Sequence, residues 1–283
     1  MRHWQRQAWL AGIMVIAAAG PLAAQTLERI ESTQTFKLGY REDAKPFSFA
    51  DANGEPAGYS VDLCREVANE AASQLGIDQL AIEYVAVTAE NRFDALADGT
   101  IDLLCGATTE TLARREIVDF SLLTFVTGAS ILYRTDGPSR FEDLAGQTVG
   151  ALAGTTTGAS LEDAFAEIDI NVAVERFASH EEGLAALEAG EVSAYFGDRA
   201  LLIGLMQQAN DPAMFRVSER FFSYEPYALA LQHGDNAFRL LVDSTLSRLY
   251  ASGEIIEIYQ SAFGDVPASD LLQAMFIMQS LPE

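Results

Sequence analysis

Short apolar runs alternate with amphipathic stretches along most of the chain, and their spacing predicts a succession of α/β units. Residues 36–40 read as a strand. A helix over 58–75 follows, opened by Gly58, Tyr59, Ser60, Val61 and Asp62, with Val61, Leu63, Val67 and Ala71 available to a core. A strand over 82–87, a short helix over 91–97 ended by Asp98 and Gly99, and a strand over 101–105 complete three units. Such a run argues for an open sheet with helices on both faces. After Leu132, Tyr133 and Arg134 the chain turns polar at Thr135, Asp136, Gly137 and Pro138, which reads as a connector. The pattern then restarts with strands over 148–152, 172–177 and 192–196 and helices over 156–166, 181–189 and 199–208. A strand over 227–231 leads back, and helices over 238–252 and 254–263 rejoin the first unit. Residues 269–283, apolar at Leu271, Leu272, Met275 and Phe276, are expected to pack back as a last helix. The fold class is therefore α/β with two open-sheet lobes: residues 25–131 and 229–283 form lobe 1 and residues 132–228 lobe 2. Two crossing strands would make a hinge that a ligand in the cleft closes.

The first 24 residues stand apart. Arg2 and Arg6 precede an apolar run from Trp9 to Ala19, and Gly20 and Pro21 break it before Leu22, Ala23 and Ala24. This reads as a secretory signal peptide cut near Ala24, too short in its apolar part for the roughly 20 residues of a spanning helix. With no cysteine at the cut to carry a lipid, a soluble periplasmic protein is expected. Removing Arg2 and Arg6 leaves 16 of the 18 Lys and Arg against all 41 Asp and Glu, a formal charge of −25. Nucleic acid and anionic bilayers are repelled by such a field, so an anionic ligand needs a local cluster of cations. Apart from Lys37 and Lys45, every remaining cation is arginine, whose planar fork suits bidentate recognition of carboxylates. Cys64 and Cys105 are expected as buried free thiols, since two cysteines alone do not define a framework, although an exported chain could join them. No Cys/His cluster has metal-ligand spacing, and neither a metal nor a cofactor is expected.

Candidate binding residues fall where strands end, the edge at which open α/β sheets hold ligands. Arg41 follows the first strand; it either meets a ligand or pairs with Glu42 or Asp43. Arg92 opens a helix, where a cation opposes the helix dipole and needs an anion, from Glu90 or from a ligand. The stretch from Gly106 to Arg115 passes from an apolar strand to hydroxyls and then to paired arginines. Backbone amides and Thr109 can accept a carboxylate there while Arg114 or Arg115 clamps it; a capped helix with surface arginines is the rival reading. Gly154, Thr155, Thr156, Thr157 and Gly158 lead a helix and can offer amides and hydroxyls to the same anion, without the Gly-Lys-Ser/Thr of a phosphate loop. Asp198 ends a strand and can take an ammonium group or cap the next helix, and His180 occupies the matching edge of a neighbouring strand. Together these residues offer carboxylate receivers in both lobes and one ammonium receiver, as a zwitterion with an additional acidic side chain requires. Nothing pairs a nucleophile with a base: there is no Gly-X-Ser-X-Gly elbow and no reactive-cysteine context.

In order along the chain, these motifs resemble those of the periplasmic solute-binding proteins of polar amino acid ABC transporters, bacterial extracellular solute-binding family 3. Within them they are most similar to the glutamate/aspartate-binding group. The carrying residues include Gly39 to Glu42, Pro46 to Ser48, Gly58 to Asp62, Asn91 and Arg92, Cys105 to Thr109 through Arg114, Asp119 to Ser121, Gly154 to Thr156, His180, Leu187 to Gly190 and Asp198. The resemblance implies a type II periplasmic-binding-protein fold, an α-carboxylate on Arg114 with Thr109 and Thr156, and an α-ammonium on Asp198. Arg41, Arg92 and His180 would face a side-chain carboxylate. It also implies a monomer that delivers glutamate or aspartate to a membrane permease without chemistry. The chain departs from the group where Ala89 and Ala107 stand in place of serines. Two other readings compete: an exported enzyme on the same fold, of the cyclohexadienyl dehydratase type, or binding of a different polar amino acid. A receptor's sensing domain ranks behind both, with no kinase or membrane segment after Glu283.

Overall fold

The computed structural model describes residues 26–282, so the expected signal peptide lies outside the described residues. The chain folds as strands β1 (Thr35–Tyr40), β2 (Asp43–Ala44), β3 (Ser48–Ala50), β4 (Pro56–Ala57), β5 (Ala81–Ala86), β6 (Leu103–Cys105), β7 (Val118–Thr127), β8 (Ala129–Arg134), β9 (Thr148–Leu152), β10 (Ala173–Phe177), β11 (Ala194–Asp198), β12 (Phe215–Val217) and β13 (Glu225–Gln232). Its helices are α1 (Thr26–Thr33), α2 (Tyr59–Leu75), α3 (Arg92–Ala97), α4 (Thr156–Ala166), α5 (His180–Ala189), α6 (Arg199–Gln208), α7 (Asn236–Ser252), α8 (Ile255–Phe263) and α9 (Asp270–Gln279). Among the described residues no helix is long and apolar enough to cross a membrane.

Two five-stranded sheets share one plan. The first has the order β5-β1-β6-β13-β7 and the second β10-β9-β11-β8-β12. In each, three parallel strands precede an antiparallel one. The fold is the expected α/β pair of lobes, because each βα unit carries an apolar strand and a helix with one apolar stripe. Strand β1 is buried at Phe36 and Leu38, and α2 lays Val61, Leu63, Val67 and Ala71 on the sheet, as expected. Helix α3 covers the opposite face through Leu96, against Ile101, Phe120 and Ala230. In the second lobe, Leu161 and Phe165 of α4 fill one face, and Leu184, Leu187, Leu202 and Leu205 of α5 and α6 fill the other. Side-chain caps fix the helix starts: Thr155 accepts from Gly158 N–H, Ser179 from Glu182 N–H, Asp235 from Phe238 N–H and Ser269 from Leu272 N–H. Helix α9 packs back through Leu272, Met275 and Phe276, whereas Leu271 is exposed.

Three expectations are corrected. The lobe boundaries expected after residues 131 and 228 fall inside β8 and β13; the chain crosses at Gly128 and just before Glu225 instead. Strands β7 and β8 run almost continuously from one sheet into the other. The turn-rich stretch Thr135 to Pro138 is a turn within the second lobe, tied by Thr135 N–H to the Met214 carbonyl at 2.8 Å. A hinge made of ladder-bonded strands must be extended and apolar, so its sequence looks like strand and not like connector. The crossings touch: a Cβ on Gly128 would lie 2.3 Å from the Ser223 carbonyl oxygen, so only glycine fits.

The third correction concerns the cysteines. Cys64 of α2 and Cys105 of β6 are buried, as expected, but they form a disulfide, with Cα atoms 6.1 Å apart. Helix α2 lies over the sheet so that the two face each other, a register that two cysteines in a sequence cannot reveal. The bridge closes a loop of 41 residues. Replacing both cysteines with serine is expected to lower stability by roughly 3–4 kcal/mol, read as an earlier midpoint in urea unfolding; an unchanged midpoint would contradict this.

Candidate functional site

Register decides where the site lies. Tyr40 of β1 is level with Ala86 of β5 and Cys105 of β6, so the three parallel strands of the first sheet end at one edge. In the second sheet Leu152 of β9 is level with Phe177 of β10, and Ala151 with Phe196 of β11. The loops leaving these six strands meet across the cleft. All seven residues singled out from the sequence (Arg41, Arg92, Thr109, Arg114, Thr156, His180 and Asp198) line one cavity there, joined by Ala107, Thr155 and Thr157.

The cavity has a cationic wall from the first lobe. Arg41 and Arg92 are buried, at 4% and 2% exposure, and Arg114 is half-buried. Arg41 pairs with Asp43, one of the two partners the sequence allowed. Arg92 donates to the Gly154 carbonyl at 3.2 Å across the cleft, and Arg114 to the Thr109 carbonyl at 2.7 Å. The rival partner Glu90 is exposed and takes no part. Both guanidinium groups lie against the ring of Phe93, at 4.9 and 5.2 Å from its centroid, which holds them in orientation. The Nε atoms of Arg41 and Arg92 are buried without a hydrogen-bond partner in the protein. Burial drives the Arg92 guanidinium well below its ordinary range, and the positive charges of Arg114 and Arg41 add to the effect. Burial also lowers Arg114, against the pull of Glu225 and Asp198. An unpaired buried cation is costly, so this wall favours an arriving anion. Arg115, by contrast, is exposed and pairs with Glu110, which leaves Arg114 as the member of the pair that faces the cavity.

The opposite wall is acidic. Asp198 is the last residue of β11; it stands at the N-cap position of α6 but makes no side-chain cap. Its carboxylate accepts from Thr157 Oγ1 at 3.0 Å and from the Tyr227 hydroxyl. Burial pushes this carboxyl up to about 6, and the nearby Glu225 charge adds to the shift. Glu225 accepts from Thr156 Oγ1 at 2.8 Å and from Ser223 Oγ at 2.5 Å, tying α4 to the hinge. His180 is buried, with Nδ1 3.1 Å from the Tyr195 hydroxyl. Burial takes its imidazole down to about 4; Asp43 opposes this and Arg41 and Arg92 reinforce it, so the ring is neutral at pH 7.

The lobes are in contact around this cavity. The His180 backbone N–H donates to Asp43 Oδ2 at 3.1 Å from the other lobe. Gly154 approaches the Ala89 carbonyl so closely that a Cβ would lie 2.8 Å from it, and a Cβ on Gly204 of α6 would lie 2.4 Å from the Lys45 carbonyl. Sequence reasoning missed Phe93, Glu225 and Tyr227 as neighbours of the site. Glu225 was visible as a lone acid entering an apolar strand, but its contact with Thr156, and that of Tyr227 with Asp198, depends on β13 crossing between the lobes.

Comparison with known proteins adds independent findings. Residues 36–265 match the model of the bacterial extracellular solute-binding proteins, family 3. The chain is 35% identical over 84% of its length to an L-glutamate/L-aspartate-binding protein of Pseudomonas aeruginosa, covering 80% of that protein. It is 29% identical over 92% of its length to a glutamate/aspartate import solute-binding protein of Escherichia coli, covering 87% of it. Among solved structures, an ancestral arginine-binding protein bound to glutamine superposes with a TM-score of 0.72 at 28% identity, over 82% of this chain and 99% of that one.

Proposed function

Because the chain belongs to the bacterial extracellular solute-binding proteins of family 3, we propose that it captures an acidic amino acid, glutamate or aspartate, between its lobes and hands it to the permease of an ABC transporter. The observation that carries the reading is the pair of guanidinium groups, Arg92 and Arg114, facing the cavity without a carboxylate partner while Asp198 stands opposite. Two unpaired cations suit two carboxylates, and one buried anion suits one ammonium. In this reading Arg114, Thr109 and Thr156 take the α-carboxylate, Asp198 the α-ammonium, and Arg92 with Arg41 and His180 the side-chain carboxylate. The relatives from P. aeruginosa and E. coli, named for glutamate and aspartate, support the choice of ligand.

The mechanism is capture without chemistry. Arg41, Arg92 and Arg114 belong to one lobe and Thr156, His180 and Asp198 to the other. A ligand bridging them contacts both sets only when the cleft is closed. Its binding energy therefore shifts the population toward the closed form that a permease recognises. The lobes comprise residues 26–128 with 225–282, and residues 129–224. The first 24 residues act as a cleaved export signal to the periplasm, where the protein works as a monomer.

The test is isothermal titration calorimetry on the chain lacking residues 1–24 and stripped of ligand, against glutamate, aspartate and glutamine; tryptophan fluorescence is no use because Trp4 and Trp9 both fall in the removed segment. One-to-one binding with the acidic pair preferred is expected, and silence toward all three would overturn the reading. The same titration has a pH signature. The ammonium group binds the ionised form of Asp198, and the free carboxyl titrates at about 6. Affinity should be flat well above pH 6 and fall as the pH drops through it, by about tenfold between pH 8 and pH 5. His180, titrating at about 4, stays neutral through that window. A flat profile from pH 8 to 5 would remove Asp198 from the ammonium role.

A further inference from the structure

We infer that Asp43 is a specificity-determining residue that competes with the ligand for Arg41, and so weakens the site's preference for acidic over amide side chains. The inference rests on the proposed role of the cavity as an amino acid site and names a residue that this role did not include. Asp43 opens β2, two residues beyond Arg41, and its side chain is 11% exposed. One oxygen, Oδ1, pairs with the Arg41 guanidinium, and the other, Oδ2, accepts the His180 backbone N–H at 3.1 Å from the opposite lobe. Ser48 Oγ accepts the Arg41 backbone N–H at 2.8 Å, which fixes the strand end from which the pair projects. A single carboxylate of the protein thus holds an arginine of one lobe and the first turn of α5 in the other.

That placement changes what a ligand meets. Of the three guanidinium groups lining the cavity, Arg41 alone has an ion-pair partner. An incoming side-chain carboxylate must share Arg41 with Asp43, or be satisfied by Arg92. A neutral amide suffers less, because Arg41 is already neutralised when it arrives. Specificity is a difference between two affinities, and Asp43 narrows this one by reducing the gain open to a carboxylate. Its second contact lies across the cleft and favours closure whatever the ligand. Charge and closure are therefore separable by substitution: asparagine keeps an acceptor for His180 N–H and removes the charge, whereas alanine removes both.

The experiment compares the unsubstituted chain, Asp43→Asn and Asp43→Ala by calorimetry with glutamate and glutamine, after thermal melts confirm folding. Asp43→Asn is expected to raise the ratio of the glutamine Kd to the glutamate Kd by about tenfold, and Asp43→Ala to raise the same ratio while weakening glutamine, which loses the closure contact without gaining a cation. The ratio gain should vanish when Arg41→Ala is added to Asp43→Asn. An unchanged or smaller ratio in Asp43→Asn, or a gain that survives without Arg41, overturns the inference while leaving the amino acid site standing. Should the unsubstituted chain bind neither ligand, both the site and the inference fall. If Asp43→Asn does not fold, Asp43→Ser, smaller and also uncharged, is judged by the same ratio.

Discussion

Replacing Arg114 with alanine is expected to weaken binding of every α-amino acid, acidic or neutral, by at least about thirtyfold. The α-carboxylate is common to all of them, and Arg114 is the guanidinium that donates to the Thr109 carbonyl and feels the charges of Glu225 and Asp198, where the α-ammonium would lie. A charge-assisted fork inside a closed cleft is worth far more than a surface pair. Truncating one partner of such a contact costs about 2–5 kcal/mol, or roughly 30- to 5,000-fold in Kd. Much of that is the penalty of leaving the ligand's carboxylate buried and unpaired. Arg114→Lys should recover only part of the loss, since a point charge lacks the second N–H of the fork. Calorimetry with glutamate, glutamine and aspartate reads all three ligands on one scale. A variant that loses one ligand and keeps the others would move the α-carboxylate elsewhere in the cavity.

Arg92→Ala should separate the ligands that Arg114→Ala treats alike. Arg92 is buried, makes one hydrogen bond to the Gly154 carbonyl, leaves Nε without a partner and sits close enough to Arg41 and Arg114 for each to depress its basicity. The ligand-free protein therefore keeps it at a cost, and thermal stability without ligand should not fall when it is removed. Glutamate and aspartate should lose about 2–4 kcal/mol of affinity, some 30- to 1,000-fold, because their side-chain carboxylate loses its unshared cation. Glutamine should lose about tenfold or less. Equal losses for glutamate and glutamine would contradict the side-chain role and assign Arg92 to lobe closure through Gly154 alone.

Much of this molecule can be read from periodicity. The βαβ rhythm, the helix starts marked by Thr155, Ser179 and Ser269, and the ends marked by Gly76 and Gly190 are local signals, and the starts at Thr155 and Ser179 set Thr156 and His180 at the carboxyl ends of β9 and β10. Local signals placed Arg41, Arg92, Thr109, Thr156, His180 and Asp198 at strand ends because an open α/β sheet brings one edge of every parallel strand to the same side; between Arg114 and Arg115 they left a choice that the family resemblance made and that the exposure of Arg115 explains. The hinge was misplaced because a crossing strand such as β7 is, residue by residue, ordinary strand; only its change of pairing partner at Gly128 makes it a hinge.

The sequence by itself determined the two-lobe α/β plan, the excess of acid, the almost all-arginine cationic chemistry and the strand ends that carry the candidate residues. Each of these depends on residue type and near-neighbour spacing. Only the tertiary structure decided that Cys64 reaches Cys105, that Asp43 rather than Glu42 takes Arg41, that Glu90 leaves Arg92 alone, and that Tyr227 and Glu225 come from the far side of the chain to Asp198 and Thr156. Those are pairings between residues 29 to 69 positions apart in the chain, or choices between neighbouring side chains. They follow from the register of strands and from burial, which set distance and dielectric, and neither is written at any one position of the chain.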